Sequence, residues 1–344
     1  MTKRRIYVAT ETGIKVVTED NGAWKAECSS LEGKQVACIV AANATDQVYA
    51  GLRHDGAYRT SDGGRSWERV LQADVHSLAV DPRDPSTVYA GTEPVHLFRS
   101  RDEGRTWTEL ESLQVVPEEV RERWWFPVYP HEPHVLTICV SPHDSRQIYV
   151  GLEHGGILRS DDGGQSWLDV SEGIEYLDIH MVAADPKRQE LMYAATARGF
   201  YRSEDYGHDW VLYDDGFARD YMHDFIVLPG DHSRLFMTTA NGVPPNWIRD
   251  SGAESTIYRS DDEGLSWRQL GGGLPSAMKL MFWNVAGDPA DPARLYAGAG
   301  DYGPNQPKGA IMSGELWMSA DYGDSWTCVL DDLAPVSKVC VGVA

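Results

Sequence analysis

Apolar and polar positions alternate along this chain in short runs of four to seven residues, each closed by Gly, Pro or Asp. That period predicts β-strands with one face buried. The runs fall into a repeated order. The first is apolar and ends in a Pro turn: HSLAVDP (76–82), LTICVSP (136–142), HMVAADP (180–186), HDFIVLP (223–229). The second resembles Val-Tyr-Ala-Gly: QVYAGL (47–52), TVYAGT (87–92), QIYVGL (147–152), LMYAAT (191–196), RLYAGA (294–299). The third ends in Arg-Ser/Thr, as in GAYRT (56–60), GILRS (156–160) and TIYRS (256–260). The fourth begins at a Trp.

Between the third and fourth runs stands the most regular stretch of the chain. It reads TSDGGRSW (60–67), SRDEGRTW (100–107), SDDGGQSW (160–167), SEDYGHDW (203–210), SDDEGLSW (260–267) and SADYGDSW (319–326), with a degraded echo at 18–24. The chemistry is that of a tight hairpin: the Asp carboxylate accepts backbone N–H groups, the Gly adopts a conformation a Cβ would penalise, and the Trp restarts an apolar strand. A period of this kind marks a repeat architecture.

This stretch resembles the Asp-box, or bacterial neuraminidase (BNR) repeat, of sialidases, xyloglucanases, sortilin-type receptors and the propeller-type photosystem II assembly factor. The resemblance implies an all-β, seven-bladed β-propeller in which the box is a folding device remote from the active site. Blades are expected at 35–73, 74–113, 134–173, 178–217, 221–273 and 279–333. The seventh is assembled from 5–30 and the C-terminal 336–344, which closes the ring within one domain spanning 1–344. The resemblance covers the whole chain for fold and is divided for activity. The sialidase Arg-Ile-Pro start reads Arg5-Ile6-Tyr7 here. Xyloglucanases of this type use two propellers, and the photosystem factor carries a basic patch and an export signal.

Box spacing is uneven, and the excess sits at 114–133, 241–255 and 300–314. In an up-and-down blade these loops emerge on one face and the boxes on the other. Long loops on a rigid scaffold are where function concentrates. Aligning the first strands on their Pro puts His76, Leu136, His180, His223 and Trp283 at one repeat position, with Val36 and Lys338 in the terminal copies and His134 one strand step from Leu136. Each begins a channel-lining strand at the decorated mouth. Two readings stand: the imidazoles of His76, His134, His180 and His223 converge on a divalent transition ion (Zn, Cu, Fe or Mn), or each caps its own strand.

Turns on the same face add Glu93, Glu153 and Asp301 as general acids or bases beside His180 and His223. Arg53 and Arg198, with Lys338 nearby, are placed to hold a substrate carboxylate. Trp124, Trp125, Tyr129, Trp247 and Tyr302 lie on the insertions, where they form a stacking wall or pack the loops down. A net charge of −21 excludes nucleic acid and anionic membrane as partners. Five scattered cysteines and a start that runs straight into a strand predict reduced thiols and a cytoplasmic protein. The sequence thus points to hydrolysis or elimination on a small polar or carbohydrate molecule, with a non-catalytic, protein-binding propeller as the alternative.

Overall fold

A computed structural model describes residues 4–20, 22–42, 46–301 and 312–343. The predicted strands assemble into seven four-stranded antiparallel sheets. Their innermost strands are Val36–Ala41, Val75–Val80, Val135–Val140, Ile179–Ala184, Tyr221–Val227, Met281–Asp288 and Val336–Val343, which define blades 1 to 7. These strands touch in sequence around a ring that closes from the seventh back to the first. The protein is a seven-bladed β-propeller, as the repeat predicts.

Closure follows the expected route. Val336–Val343 pairs antiparallel with Arg4–Thr10, which continues through Gly13–Asp20 to Ala23–Ser30 in the same sheet. Ser337 Oγ donates to the Val36 carbonyl at 2.6 Å, and Asn284 and Val339 exchange two hydrogen bonds across the other seam.

The box hairpins hold the opposite face together. In blade 3, Asp162 Oδ1 accepts the N–H groups of Gln165 (2.8 Å) and Ser166 (2.9 Å), while Oδ2 accepts the Ser166 hydroxyl at 2.6 Å. Ser160 Oγ donates to Asp162 and accepts the Gly164 N–H. Two consecutive residues are left-handed, not the Gly alone. The residue before it is also at positive φ in Glu103 (60°), Tyr206 (64°), Glu263 (59°) and Tyr322 (59°). The repeated Arg before the box has a separate role: Arg59, Arg99, Arg159 and Arg259 each donate to a carbonyl in the next blade's box.

Hydroxyl and N–H donors hold the Asp162 carboxylate well below its ordinary pKa, so its contribution is present above the unfolded value near 3.9 and fades as pH falls. Replacing Asp162 by Ala is expected to cost roughly 1–2 kcal/mol at neutral pH by leaving turn donors without an acceptor. In thermal melts the gap to wild type should narrow below about pH 4. A pH-independent gap would locate the loss elsewhere.

Candidate functional site

The aligned first-strand position proves to be a β-bulge. Pairing skips from Val75 to Ser77, from Ile179 to Met181 and from Met222 to Phe225, so His76, His180 and His223 stand at bulges that re-aim a side chain out of the ladder. In the terminal copies the skipped residues are Ala37 and Ser337. The alignment that placed Val36 and Lys338 there is one residue off; for Val36 the reason is the connection between first and second strands, 42–47 in this blade against the longer 81–87 in the next.

At the mouth between blades 2 and 3, His76 and His134 lie ring to ring with centroids 4.2 Å apart, both buried. His76 Nε2 is 3.1 Å from Asp74 Oδ1 and 3.4 Å from Glu93 Oε2. His134 Nε2 meets the Glu153 carboxylate, and its Nδ1 lies 3.5 Å from Glu93 Oε2 with no hydrogen-bond partner. Between blades 4 and 5, His180 and His223 have centroids 5.2 Å apart. Their Nδ1 atoms face carbonyl oxygens of the next blade, His180 that of Met222 (2.6 Å) and His223 that of Trp283 (2.8 Å). A carbonyl only accepts, so both protons sit on Nδ1. His180 Nε2 is left toward Tyr221 Oη (3.4 Å) and Asp178 Oδ1 (3.5 Å).

The electrostatics separate these groups. Burial pushes the His76 pKa down to about 4 against the opposing pull of Asp74. Burial, His180 and Lys338 push His223 down to about 3. For His180 burial is outweighed by Asp178, Glu153 and the Met222 carbonyl, and its pKa rises. Burial opposes charge on Glu153, yet the imidazoles of His134, His180 and His154 hold its carboxyl below the ordinary range. Burial raises Glu93. Burial thus disfavours charge on His76 and His223, while Glu153 is held ionised and His180 holds its proton more firmly, and groups pushed apart in this way can take acid and base roles.

One of the two readings put the four histidines around one ion. They form two pairs instead, and among the described residues the one set of three or more metal-ligating side chains with close ligand atoms is His76, Glu93 and His134. His180 and His223 stand outside it, each with its Nδ1 given to a carbonyl of the next blade. Asp301 accepts the Ser313 N–H at 2.9 Å and so ties together the feet of the third insertion. Lys338 is paired with Asp224 at 3.1 Å. Burial raises the pKa of Glu93 and Glu11, and the charge of the exposed Arg53 opposes that rise. Arg198 lies over the Tyr176 ring at 5.4 Å.

Of the aromatic wall, Trp125 and Tyr129 are exposed, at 55% and 85%, and Trp125 stacks on His131. Trp124 is half-buried against the blade 2–3 core. Trp247 packs its loop down: it is buried and donates to the carbonyls of Asn241 and Gly242. Tyr302 lies outside the described residues.

Sequence reasoning missed Asp74, Asp178 and Tyr221. Asp74-Val75-His76 and Asp178-Ile179-His180 repeat one Asp-x-His pattern, and His54 and His154 repeat one turn position. His54 pairs with Asp74, and His154 Nε2 lies 3.4 Å from Asp178. The signal was a duplicated three-residue constellation split across neighbouring blades. A further recess of about 240 Å³ opens on the box face, lined by Arg99, Arg101, Asp102, Thr106 and Thr108. Arg99, Asp102 and Thr106 are spent on the hairpin and the inter-blade bond, which makes it a crevice between blades.

No family model matches the chain. It is 27% identical over 168 residues to a xyloglucanase of Acetivibrio thermocellus, covering 40% of this chain and 20% of that protein. It is 25% identical over 325 residues to a xyloglucanase of Paenibacillus sp, covering 82% of this chain and 30% of that protein. The chain therefore spans less than a third of the length of these curated relatives. Among solved structures it resembles the GH74 enzyme of Niastella koreensis (TM-score 0.66, 20% identity, 94% of this chain, 46% of that one). It also resembles YCF48 bound to D1 peptide (TM-score 0.55, 17% identity, 86% and 80%). These likenesses establish the seven-bladed fold and its neighbours in both groups.

Proposed function

We propose that the decorated mouth takes up a small polar molecule, with carbohydrate the favoured class, and acts on it by proton transfer in a hydrolysis or elimination. The observation that carries this reading is the run of buried and half-buried carboxylates and imidazoles from Asp74 through His76, His134, Glu153 and His180 to Asp178. A propeller held by its blade seams has no structural need to bury so many titratable groups at one mouth, and perturbed groups cluster where chemistry is done. Glu153, kept ionised, suits the base. His180, which holds its proton to higher pH than a free imidazole, suits the acid. The exposed Trp125 and Tyr129 offer faces to a sugar ring. The xyloglucanase relatives supply the substrate class, although this chain matches only part of their length.

The test is product analysis on xyloglucan and other neutral oligosaccharides. Where turnover is found, Glu153→Gln and His180→Gln should each lower kcat by about 10²–10⁴-fold, with the circular dichroism spectrum retained. A second reading rests on the YCF48 likeness, which covers 80% of that chain where the GH74 structure is covered by less than half. On it the mouth is a peptide-docking face. Wild-type protein inactive on the whole panel would favour that reading over the enzyme.

A further inference from the structure

We propose that His76, Glu93 and His134 form a binding site for one divalent transition-metal ion, of the zinc or iron(II) class, at the seam of blades 2 and 3. The ligand atoms are His76 Nε2, Glu93 Oε2 and His134 Nδ1. With metal–ligand bonds of about 2.0–2.2 Å, neighbouring donors around a tetrahedral ion stand roughly 3.4 Å apart. The two distances to Glu93 Oε2 are 3.4 Å from His76 and 3.5 Å from His134. Both exceed the usual N–H···O range of about 2.7–3.2 Å, so Glu93 is spaced from both rings for a shared ion more than for a hydrogen bond to either, and the three ligand atoms all lie within 4.8 Å of one another.

A second observation points the same way. His134 is 4% exposed, and its Nδ1 is buried without a hydrogen bond. A buried ring nitrogen with no partner is costly, and this one faces the proposed ion. Its other nitrogen meets the Glu153 carboxylate. That is the arrangement in which a carboxylate orients a metal-bound imidazole and raises its basicity.

His76 Nε2 would exchange its 3.1 Å contact with Asp74 Oδ1 for the ion. Asp74 Oδ1 keeps the His54 N–H at 2.9 Å, so the exchange strands no acceptor. Asp74, Glu93 and Glu153 make the surroundings anionic, with the exposed Arg53 as the opposing charge. Two imidazoles and one carboxylate suit zinc or iron(II) and leave at least one coordination position open toward the channel. The site shares His76 and His134 with the mouth described above and touches Glu153 through His134, but its test is separate from the acid/base reading, because metal content is read without any activity.

The experiment strips the full-length protein with chelator and titrates Zn²⁺ by calorimetry, repeating with Fe²⁺ under anaerobic conditions. Bound metal is counted by elemental analysis after gel filtration. Wild type should retain one equivalent of at least one of these ions and melt at a higher temperature when loaded. Glu93→Gln keeps the size of a half-exposed side chain and should weaken affinity about 10-fold or more, as should His134→Gln. His223→Gln, across the mouth, should bind as wild type does. Wild type that retains neither ion at micromolar concentration overturns the proposal, as does a Glu93→Gln variant that binds equally well. The wild-type titration decides the matter alone if a variant fails to fold.

Discussion

A chain ending at Pro335 is expected to lose its cooperative melting transition and to accumulate in the insoluble fraction. The missing strand, Val336–Val343, is the channel-side strand of blade 7 and pairs with Arg4–Thr10 along its length. It buries Val336 (0% exposed), Val339 (2%) and Val341 (5%). Full burial of such a side chain contributes roughly 1.5–3 kcal/mol, so the three together approach the ~5–15 kcal/mol by which whole domains are stable. The ladder hydrogen bonds and both ring seams are lost as well: Ser337 to Val36 on one side, Val339 to Asn284 on the other. The open edge of Arg4–Thr10 would then present unpaired N–H and C=O groups to other chains. Circular dichroism melts and soluble yield, compared with the full chain, check this. An unchanged melting temperature would mean that the ring does not depend on this closure.

The fold was legible because its signals are local and repeated. Asp62, Asp102, Asp162, Asp205, Asp262 and Asp321 each act within a few residues of themselves, so pattern and hairpin coincide. The site was legible only in part, because its partners come from different blades. His76, His134, His180 and His223 were visible as a shared or neighbouring repeat position. Their sorting into two pairs depends on which carbonyl or carboxylate each ring meets across a seam, and a single strand pattern does not carry that information. Asp74 and Asp178 were passed over because alignment on the closing Pro looked forward from the histidines, whereas their partners stand two residues before them. Lys338 was placed near a substrate carboxylate; its partner Asp224 lies more than a hundred positions away in sequence and in a different blade.

The repeated Gly of the second strand is a visible pattern whose reason lies in the neighbouring blade. Gly51, Gly91, Gly151 and Gly298 carry no positive φ, so the backbone does not require glycine there. The neighbouring blade does. A Cβ on Gly91 would lie 2.4 Å from Val135 Cγ1 and 2.5 Å from Ser77 Oγ. The same collision recurs between Gly51 and Val75 (2.6 Å), Gly151 and Ile179 (2.7 Å), and Gly298 and Val336 (2.5 Å). Each glycine is the socket into which the first β-branched residue of the next innermost strand is pressed. Gly91→Val should therefore force blades 2 and 3 apart at a seam packed at the density of a protein interior. Overpacking of this kind costs about 1–3 kcal/mol and sometimes more. The upper end is expected here, because Val135 and Ser77 are both buried and Ser77 Oγ also donates to the Val135 carbonyl at 2.6 Å. His134 directly precedes Val135, so the same substitution should displace it from Glu93 and Glu153. Melting by calorimetry and Zn²⁺ titration on one preparation read both consequences. Gly298→Val, at the far seam between blades 6 and 7, is the control: it should lower the melting temperature comparably while metal binding by the folded fraction stays at the wild-type level. Equal loss of binding in both variants would mean that the seam at Gly91 has no special hold on the histidines.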